Sequence, residues 1–258
     1  MTLSTDNLAL MRGGKTVLEQ VTTSLQPGQI TAICGPNGAG KSSLLMGLAG
    51  LLNPAAGGVS LGASDVAAMP SRERAKSIGY LPQSADVAWD VSVESLVALG
   101  RLPHRDRGEA KVESAIAALS LEDLRHRPVS RLSGGERARA LLARVLAGTP
   151  QWILADEPLA ALDLAHQLTL IAHFKTCAAA GQGVVIVLHD LTLAKNHADR
   201  VLVLRSQEGR GRLVADGSPE QALSTEVIHN VWGVEAEWLG EPGAQALVSG
   251  KAGIPITD

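Results

Sequence analysis

The stretch Gly35-Pro36-Asn37-Gly38-Ala39-Gly40-Lys41-Ser42 follows an apolar run, residues 30–34, and opens a helix-like run. Its three glycines have no Cβ, so successive backbone N–H groups can turn inward around an anion. The N-terminus of the following helix adds more N–H groups and the positive end of its dipole. Lys41 can then reach β- and γ-phosphates, and the Ser42 hydroxyl can ligate Mg²⁺. The stretch predicts a phosphate-binding loop, hereafter the phosphate loop (35–42), with Ser43 among the nucleotide contacts.

Bulk composition favours a globular protein and excludes several other classes. The 258 residues are 45% hydrophobic, which is enough to fill the core of a large domain. The formal net charge of −3 provides no general attraction to nucleic acid, so we expect no nucleic-acid partner. No run approaches the roughly 20 apolar residues of a membrane span, and residues 1–7 do not resemble a signal peptide. We therefore expect a cytosolic chain whose cysteines, Cys34 and Cys177, are reduced core thiols.

Apolar runs separated by helical patterns indicate an α/β core. Residues 3–34 alternate short apolar runs with turn signals, which predicts an antiparallel β start, and residues 53–58 are predicted to form a turn. Further strands are predicted at 59–61, 78–82, 152–155, 184–188 and 201–204, with helices at 164–180 and 191–198. Continuous apolar strands alternating with helices indicate a mainly parallel sheet covered on both faces.

The pattern changes in the middle of the chain, from about residue 84 to about residue 140. Short amphipathic helices are predicted at 91–99 and 112–119. Between them lies a charged stretch, 101–108, that we expect to be flexible. This arrangement indicates an inserted helical subdomain.

Two adjacent carboxylates, Asp156 and Glu157, follow the apolar strand predicted at 152–155. One acid can hold the Mg²⁺ shell while its neighbour orients and deprotonates an attacking water. We assign Asp156 to the metal and Glu157 to the general base. An acidic pair at a strand end is common by itself, and this one gains meaning from the phosphate loop on the same chain.

A second anion site is predicted about twenty residues earlier, at Leu132-Ser133-Gly134-Gly135-Glu136. A helix signal follows over 137–147, so small residues and a hydroxyl stand at a helix N-terminus, as they do in the phosphate loop. The alternative is an ordinary helix capped by Ser133.

Two more polar residues follow predicted strands. Gln83 comes directly after the strand 78–82, and His189 follows the strand 184–188. A lone histidine in such a place is more often a packing residue, although a neutral imidazole there can also donate to a phosphate. The phosphate loop, Gln83, the 132–136 stretch, Asp156-Glu157 and His189 stand in an order that resembles the ATP-binding cassette (ABC) family over nearly the whole chain.

The resemblance implies a P-loop ATPase fold in a single domain, 1–258. Its RecA-like core, with an N-terminal antiparallel β part, would comprise approximately 1–83 and 150–258, and the helical subdomain approximately 84–149. Two copies would close head to tail around two ATP molecules. The phosphate loop of one copy would bind the phosphates, while Ser133, Gly134 and Gly135 of the other copy would contact the γ-phosphate.

The same resemblance implies roles for the remaining polar residues. Gln83 would sense the attacking water and ligate Mg²⁺ together with Ser42 and Asp156. His189 would donate a hydrogen bond to the γ-phosphate and brace Glu157. Asp163 would make a contact across the dimer.

Two positions depart from the family pattern. Where the family usually places an aromatic residue to stack on adenine, this chain has Arg12, with Met11 beside it. A guanidinium plane can stack on a base, so Arg12 is predicted to preserve the contact in another form. Ala161 stands where the family usually has serine, which weakens a polar contact across the dimer but removes no catalytic group.

Residues 91–104 and 189–194 resemble ATPase subunits of importers for iron chelates, haem and vitamin B12. Packing of an amphipathic helix could by itself explain 91–104. The resemblance implies a homodimer on the cytoplasmic face of the inner membrane. Two membrane permease subunits would dock near 84–107, and a periplasmic substrate-binding protein would take part indirectly.

Two other classes of protein remain as alternatives. A soluble, non-transport ABC ATPase could act as a scaffold, for example in iron–sulfur cluster assembly. A small-molecule kinase could use the same phosphate loop, but it has no use for the 132–136 stretch.

Overall fold

The computed structural model describes residues 1–83, 90–160 and 162–252. Its strands are β1 (Leu3–Arg12), β2 (Lys15–Leu25), β3 (Ile30–Cys34), β4 (Pro54–Leu61), β5 (Ser64–Asp65), β6 (Ile78–Leu81), β7 (Trp152–Ala155), β8 (Gly183–Val187), β9 (Arg200–Gln207), β10 (Arg210–Gly217), β11 (Val234–Leu239) and β12 (Ala246–Ala252). Its α-helices are α1 (Lys41–Leu48), α2 (Ser71–Ser77), α3 (Val93–Ala98), α4 (Glu109–Ala118), α5 (Gly134–Ala147), α6 (Leu164–Ala179), α7 (Leu191–His197), α8 (Pro219–Ala222) and α9 (Thr225–Trp232). Short 3₁₀ helices lie at Leu99–His104, Glu122–Leu124 and Val129–Arg131.

Within these residues, ten strands form one sheet in the order β5-β4-β1-β2-β10-β9-β3-β8-β7-β6. The half from β9 to β6 is parallel, whereas β5, β4, β1 and β2 pair antiparallel. Strand β10 joins the halves, antiparallel to β9 and parallel to β2. The predicted α/β fold is confirmed. Because the parallel strands run the same way, the carboxyl ends of β3, β8, β7 and β6 meet at one edge of the sheet.

Both faces of the parallel half are buried. In β3, Ile30 and Ala32 belong to one core cluster while Ile33 belongs to the other, and β8 alternates in the same way. The largest buried side chains pack on opposite faces of the sheet, Phe174 from α6 in one core cluster and Trp152 in the cluster that includes the antiparallel half. Burial on both faces explains why these strands read as continuous apolar runs in the sequence.

Specific contacts fix the stretch 101–108, which the sequence predicted to be flexible. The Arg101 guanidinium is buried, pairs with Asp106 at 2.7 Å and donates to the Ala147 carbonyl at 3.0 Å. A Cβ added to Gly100 would lie 2.0 Å from the Arg144 carbonyl oxygen, so the chain runs directly against α5. A buried guanidinium needs such partners, and they hold this stretch in place within the helical subdomain.

Residues 54–58, predicted as part of a turn, belong to strand β4 instead. This strand pairs with β1 through a register shift. Gly57 has φ +68°, and a Cβ there would lie 2.2 Å from the Asp6 carbonyl oxygen. The glycine marks a bulge against the neighbouring strand rather than the end of a strand, which explains why its local signal was misleading.

The antiparallel hairpin β11–β12 packs on α7. Asn196 donates to the Gln245 carbonyl at 2.7 Å and accepts from the Gln245 N–H at 2.9 Å. The Lys195 ammonium lies 5.5 Å from the centre of the Trp238 ring, a cation–π contact. Since α7 begins two residues after His189, the hairpin supports the helix that follows this histidine. Among the described helices, none has the length and apolar character required to cross a bilayer.

Candidate active site

The phosphate loop connects β3 to α1. Its Lys41 is buried, and the ammonium donates to the carbonyls of Gly35 at 2.9 Å and Pro36 at 3.0 Å. Burial lowers the pKa of Lys41. A Cβ on Gly35 would lie 2.3 Å from the Leu204 carbonyl oxygen, so the loop is pressed against β9 and only glycine fits there.

The start of α1 is prepared for an anion. Gly40, which precedes the helix, has φ +87°, and the described contacts include no side-chain cap and no acidic residue in the first turn. The first N–H groups of α1 and the Lys41 ammonium therefore concentrate positive charge within the loop. This combination fits the phosphates of a nucleotide.

Ser42 and Asp156 meet at the mouth of the loop. The Ser42 hydroxyl donates to Oδ1 of Asp156 at 3.0 Å. Asp156 is only 5% exposed, and burial raises the pKa of its carboxyl group, although the hydrogen bond from Ser42 acts in the opposite direction. A hydroxyl next to a carboxylate at a phosphate site is the donor set that Mg²⁺ prefers, so these residues fit that ion.

Tyr80 is a further site residue, which sequence reasoning did not select. Its hydroxyl hydrogen-bonds to Asp156, and burial, reinforced by the charge of Asp156, raises the pKa of Tyr80 to about 12. The tyrosine thus remains a donor that orients the carboxylate. The signal available in the sequence was its place two residues before the end of a predicted strand.

Both carboxylate oxygens of Glu157 are occupied by donors. Gln83 Nε2 donates to Oε2 at 2.6 Å, and His189 Nε2 lies 2.5 Å from Oε1. Since a carboxylate only accepts, Nε2 of His189 carries the hydrogen. The backbone of Glu157 has φ +47°, a left-handed conformation that costs a non-glycine residue about 1–3 kcal/mol. Strain of this kind is typical of functional sites.

The order of the strands explains why these residues converge. Strands β3, β8, β7 and β6 are neighbours, and each ends in a segment that carries site residues. The phosphate loop follows β3, His189 follows β8, Asp156 and Glu157 follow β7, and Gln83 follows β6. The carboxyl edge of a parallel sheet is where such folds place their ligand sites.

Residues 133–135, hereafter the serine-glycine turn, form a second phosphate-ready helix start at α5. Ser133 accepts from the Glu136 N–H at 3.2 Å while its own N–H donates to the Glu136 carboxylate at 2.8 Å. This capping box lowers the pKa of Glu136, chiefly through the hydrogen bond from the Ser133 N–H. Ser133 and Gly134 are exposed. None of the described hydrogen bonds or ion pairs joins this turn to the phosphate loop.

The remaining predicted residues lie at the periphery. Arg12, at the exposed end of β1, is near enough that its charge opposes the rise in the pKa of Tyr80. Asp163 caps α6 by accepting from the His166 N–H at 2.9 Å. Ala161, and residues 84–89 of the predicted docking segment, lie outside the described residues.

Comparison with known proteins identifies the family. A family model described as ABC transporter matches residues 18–160, which is more than half of the chain. This protein belongs to the ABC transporter family. The family predicted from the sequence is thus confirmed, and the protein is an ATPase of ABC transporters that binds ATP.

Several relatives of this ABC ATPase share one name, hemin import ATP-binding protein HmuV. The chain is 42% identical over 243 residues to the hemin import ATP-binding protein HmuV of Pseudomonas entomophila, covering 90% of this chain and 93% of that protein. It is 39% identical to the HmuV protein of Myxococcus xanthus, with 100% of both chains covered. A solved structure described as an inward-facing ABC transporter of the metal-chelate type matches with a TM-score of 0.81 at 25% identity, over 97% of this chain and 98% of that one.

Proposed function

We propose that this ABC ATPase powers the import of haem. The observation that supports ATP hydrolysis is the position of Glu157, whose carboxylate lies between Gln83 and His189 and beside the buried Asp156. The cargo rests on the relatives, since both HmuV proteins compared above are named for hemin import. Of the cargoes predicted from the sequence, haem therefore has support that iron-siderophores and cobalamin lack. The relatives also favour an importer over a soluble scaffold protein.

In the proposed reaction, Glu157 accepts a proton from the water that attacks the γ-phosphorus. The bond from this phosphorus to the oxygen that bridges to the β-phosphate breaks, and ADP leaves. Lys41 and the N–H groups of the phosphate loop balance the charge that develops on the phosphate oxygens. The Nε2–H of His189, which donates a hydrogen bond to Glu157 in this structure, can donate to a γ-phosphate oxygen instead. That exchange frees one carboxylate oxygen of Glu157 for the water. Ser42, Asp156 and Gln83 would hold Mg²⁺, which neutralises phosphate charge when it is bound.

The catalytic unit in this proposal is a homodimer. Ser133 and Gly134 of the serine-glycine turn are exposed, and no described hydrogen bond or ion pair joins the turn to the phosphate loop of its own chain. A second copy placed head to tail would bring Ser133, Gly134 and Gly135 onto the γ-phosphate, with Asp163 near the boundary between copies. ATP binding would then close the dimer and hydrolysis would release it, because the two conformations differ in their affinity for ATP.

The membrane partners are proposed to be two permease subunits in the inner membrane. A groove of about 550 Å³ lies between the sheet core and the helical subdomain, lined by residues that include Leu51, Leu99, Leu102 and Pro103. Leu102 is 69% exposed, as expected for a side chain that a partner covers. We assign the groove to a cytoplasmic segment of the permease, which would hold the ATPase on the cytoplasmic face. A periplasmic binding protein would deliver the haem.

The base assignment is tested by Glu157→Gln. Turnover should fall by about 10³-fold, because proton transfer to a positioned base is lost, while the variant still forms a dimer with ATP and Mg²⁺. The measurements are phosphate release and size-exclusion chromatography. Glu208→Gln is the matched control, since Glu208 is an exposed glutamate whose φ is also positive, +51°. Wild-type turnover in the Glu157→Gln variant would refute the assignment.

The cargo is tested by deleting the gene in its own host. Growth with haem as the sole iron source should stop, and growth on a ferric siderophore should continue. Wild-type protein should restore growth on haem, and the Glu157→Gln variant should not. Unchanged growth on haem would overturn the haem assignment without affecting the ATPase assignment.

A further inference from the structure

His166 connects two of the motifs described above. It lies in the first turn of α6, three residues after Asp163. Asp163 Oδ1 accepts from the backbone N–H of His166 at 2.9 Å and from its ring Nδ1 at 2.7 Å. Because a carboxylate only accepts, Nδ1 carries a hydrogen and the ring orientation is fixed. The same pair of hydrogen bonds lowers the pKa of Asp163.

The other side of the imidazole faces the serine-glycine turn. A Cβ built on Gly135 would lie 3.1 Å from Cδ2 and 3.2 Å from Cγ of His166. The ring therefore packs directly against the Cα of Gly135. One side chain thus bridges the cap of α6 and the first turn of α5, which are distant in the sequence.

We propose that His166 is a positioning residue that holds the serine-glycine turn and Asp163 in one fixed arrangement toward the nucleotide of the partner subunit. This inference rests on the proposed homodimer. It assigns to His166 no contact with ATP on its own chain. The residue acts on turnover only through the two motifs that it joins.

The local chemistry explains why such a support is needed. Ser133 and Glu136 satisfy each other within the capping box, which fixes the turn relative to α5 but not relative to α6. Gly134 and Gly135 have no side chains with which to pack, and glycine loses more conformational entropy on ordering than other residues. A ring packed against Gly135 limits that freedom before the second copy arrives, so less ordering remains to be done on closure.

Three substitutions separate the two contacts. His166→Phe keeps a ring against Gly135 and removes the hydrogen bond to Asp163. His166→Gln keeps a donor for Asp163 and removes the ring, and His166→Ala removes both. His173→Ala is the matched control, because His173 lies on the same helix two turns farther from the turn.

The decisive measurement is the ATP concentration that drives dimerisation, with each substitution placed in the Glu157→Gln background. His166→Ala should raise this concentration about tenfold, which corresponds to one lost charge-assisted hydrogen bond, while ATP binding to the dilute monomer is unchanged. His166→Phe and His166→Gln should each raise this concentration by less than His166→Ala does. His173→Ala should leave it unchanged. Dimerisation of His166→Ala at the wild-type ATP concentration would overturn the proposal. If Glu157→Gln itself forms no dimer with ATP, the homodimer of the proposed function fails instead.

Mixed dimers test whether the effect crosses the interface. In a dimer with Lys41→Ala in one subunit, the intact phosphate loop faces the serine-glycine turn of the Lys41→Ala chain. Adding His166→Ala to that chain should weaken ATP-driven pairing. Adding it to the other chain should weaken pairing much less. The reverse pattern, or equal effects from both placements, would refute action on the nucleotide of the partner.

Discussion

The chain contains two helix starts suited to phosphate, at α1 and at α5, and they differ in how they are supported. The start of α1 is enclosed, with a buried Lys41 that bonds to the carbonyls of its own loop and a Gly35 pressed on β9. The start of α5 is exposed at Ser133 and Gly134. Its described contacts include the capping box, the ring of His166 and an ion pair between Glu136 and Arg127. In the proposed homodimer, a monomer would bind nucleotide at the first start, whereas the second start would serve the other copy.

The largest difference in stability between the two helix starts is expected when alanine replaces one glycine at each of them. Gly35→Ala puts a methyl group 2.3 Å from a backbone carbonyl, at φ +150°, so the free energy of unfolding should fall by about 3 kcal/mol. Gly135→Ala meets the His166 ring rather than backbone, at 3.1 Å, which requires a shift of only a few tenths of an ångström, so it should change stability by less than about 1 kcal/mol. Urea denaturation measures both. Equal losses would show that the two starts are equally constrained.

Ligand binding provides the second contrast. Lys41→Ala removes a charged donor, so ATP affinity of the monomer should fall roughly 10- to 100-fold. Ser133→Ala should leave monomer affinity unchanged and cost about 1 kcal/mol of stability through the lost helix cap, while ATP-driven dimerisation weakens. Isothermal titration below the dimerisation range measures the affinities. A loss of monomer affinity in Ser133→Ala would contradict a role confined to the partner.

Each helix start has a carboxylate beside it, Asp156 at α1 and Glu136 at α5, and the two should change stability with pH in opposite directions. Burial raises the pKa of Asp156, so its charge disfavours the folded state above that pKa, and the penalty vanishes below its ordinary value of 3.8. Asp156→Asn should therefore raise the melting temperature at pH 7 without nucleotide, with a gain that shrinks as the pH falls through this window. Turnover should be lost.

Glu136 is the matched carboxylate at α5. Its pKa is lowered by the Ser133 N–H, so its charge stabilises the fold above the ordinary value of 4.5, and that contribution disappears as the pH falls through the lowered pKa. Glu136→Gln should thus lower the melting temperature at pH 7. Melting curves of both variants from pH 3 to pH 7 test the contrast, and shifts of the same sign would contradict it.

The smallest effect is expected at the edge of the phosphate site. Arg12→Ala should weaken ATP binding about threefold, since an exposed stacking cation contributes about 0.5–1 kcal/mol. Arg12→Tyr should restore the affinity by aromatic stacking. If Arg12→Ala binds ATP as the wild type does, the adenine contact predicted for Arg12 is wrong.

Local sequence patterns predicted the parts of the site that are determined within a few residues. The phosphate loop, the cap at Ser133 and the acidic pair after β7 depend on glycine, hydroxyl and carboxylate groups at fixed spacing. The buried strands were predictable because burial on both faces leaves an unbroken apolar run. These features are independent of how distant segments pack.

Other features depend on packing between distant segments and left no local signal. The hydrogen bond from Gln83 to Glu157 exists because β6 and β7 are neighbours in the sheet. The local sequence of either strand does not determine the order of the strands. The first part of strand β4, residues 54–58, was missed because Pro54 and Gly57 mark turns in most contexts, whereas pairing with β1 overrides them here. The contacts of Arg101 involve Ala147, 46 residues farther along the chain, so its burial was not predictable.

The left-handed backbone of Glu157 has an evolutionary consequence. Glycine or asparagine would adopt φ +47° at lower cost, yet neither has a carboxylate to act as the proposed base. A duplicate gene released from selection for transport would gain robustness by drifting to either residue. Paralogues that no longer hydrolyse ATP should therefore retain the fold. In the functional protein, natural selection must remove substitutions of Glu157 that raise stability but abolish activity.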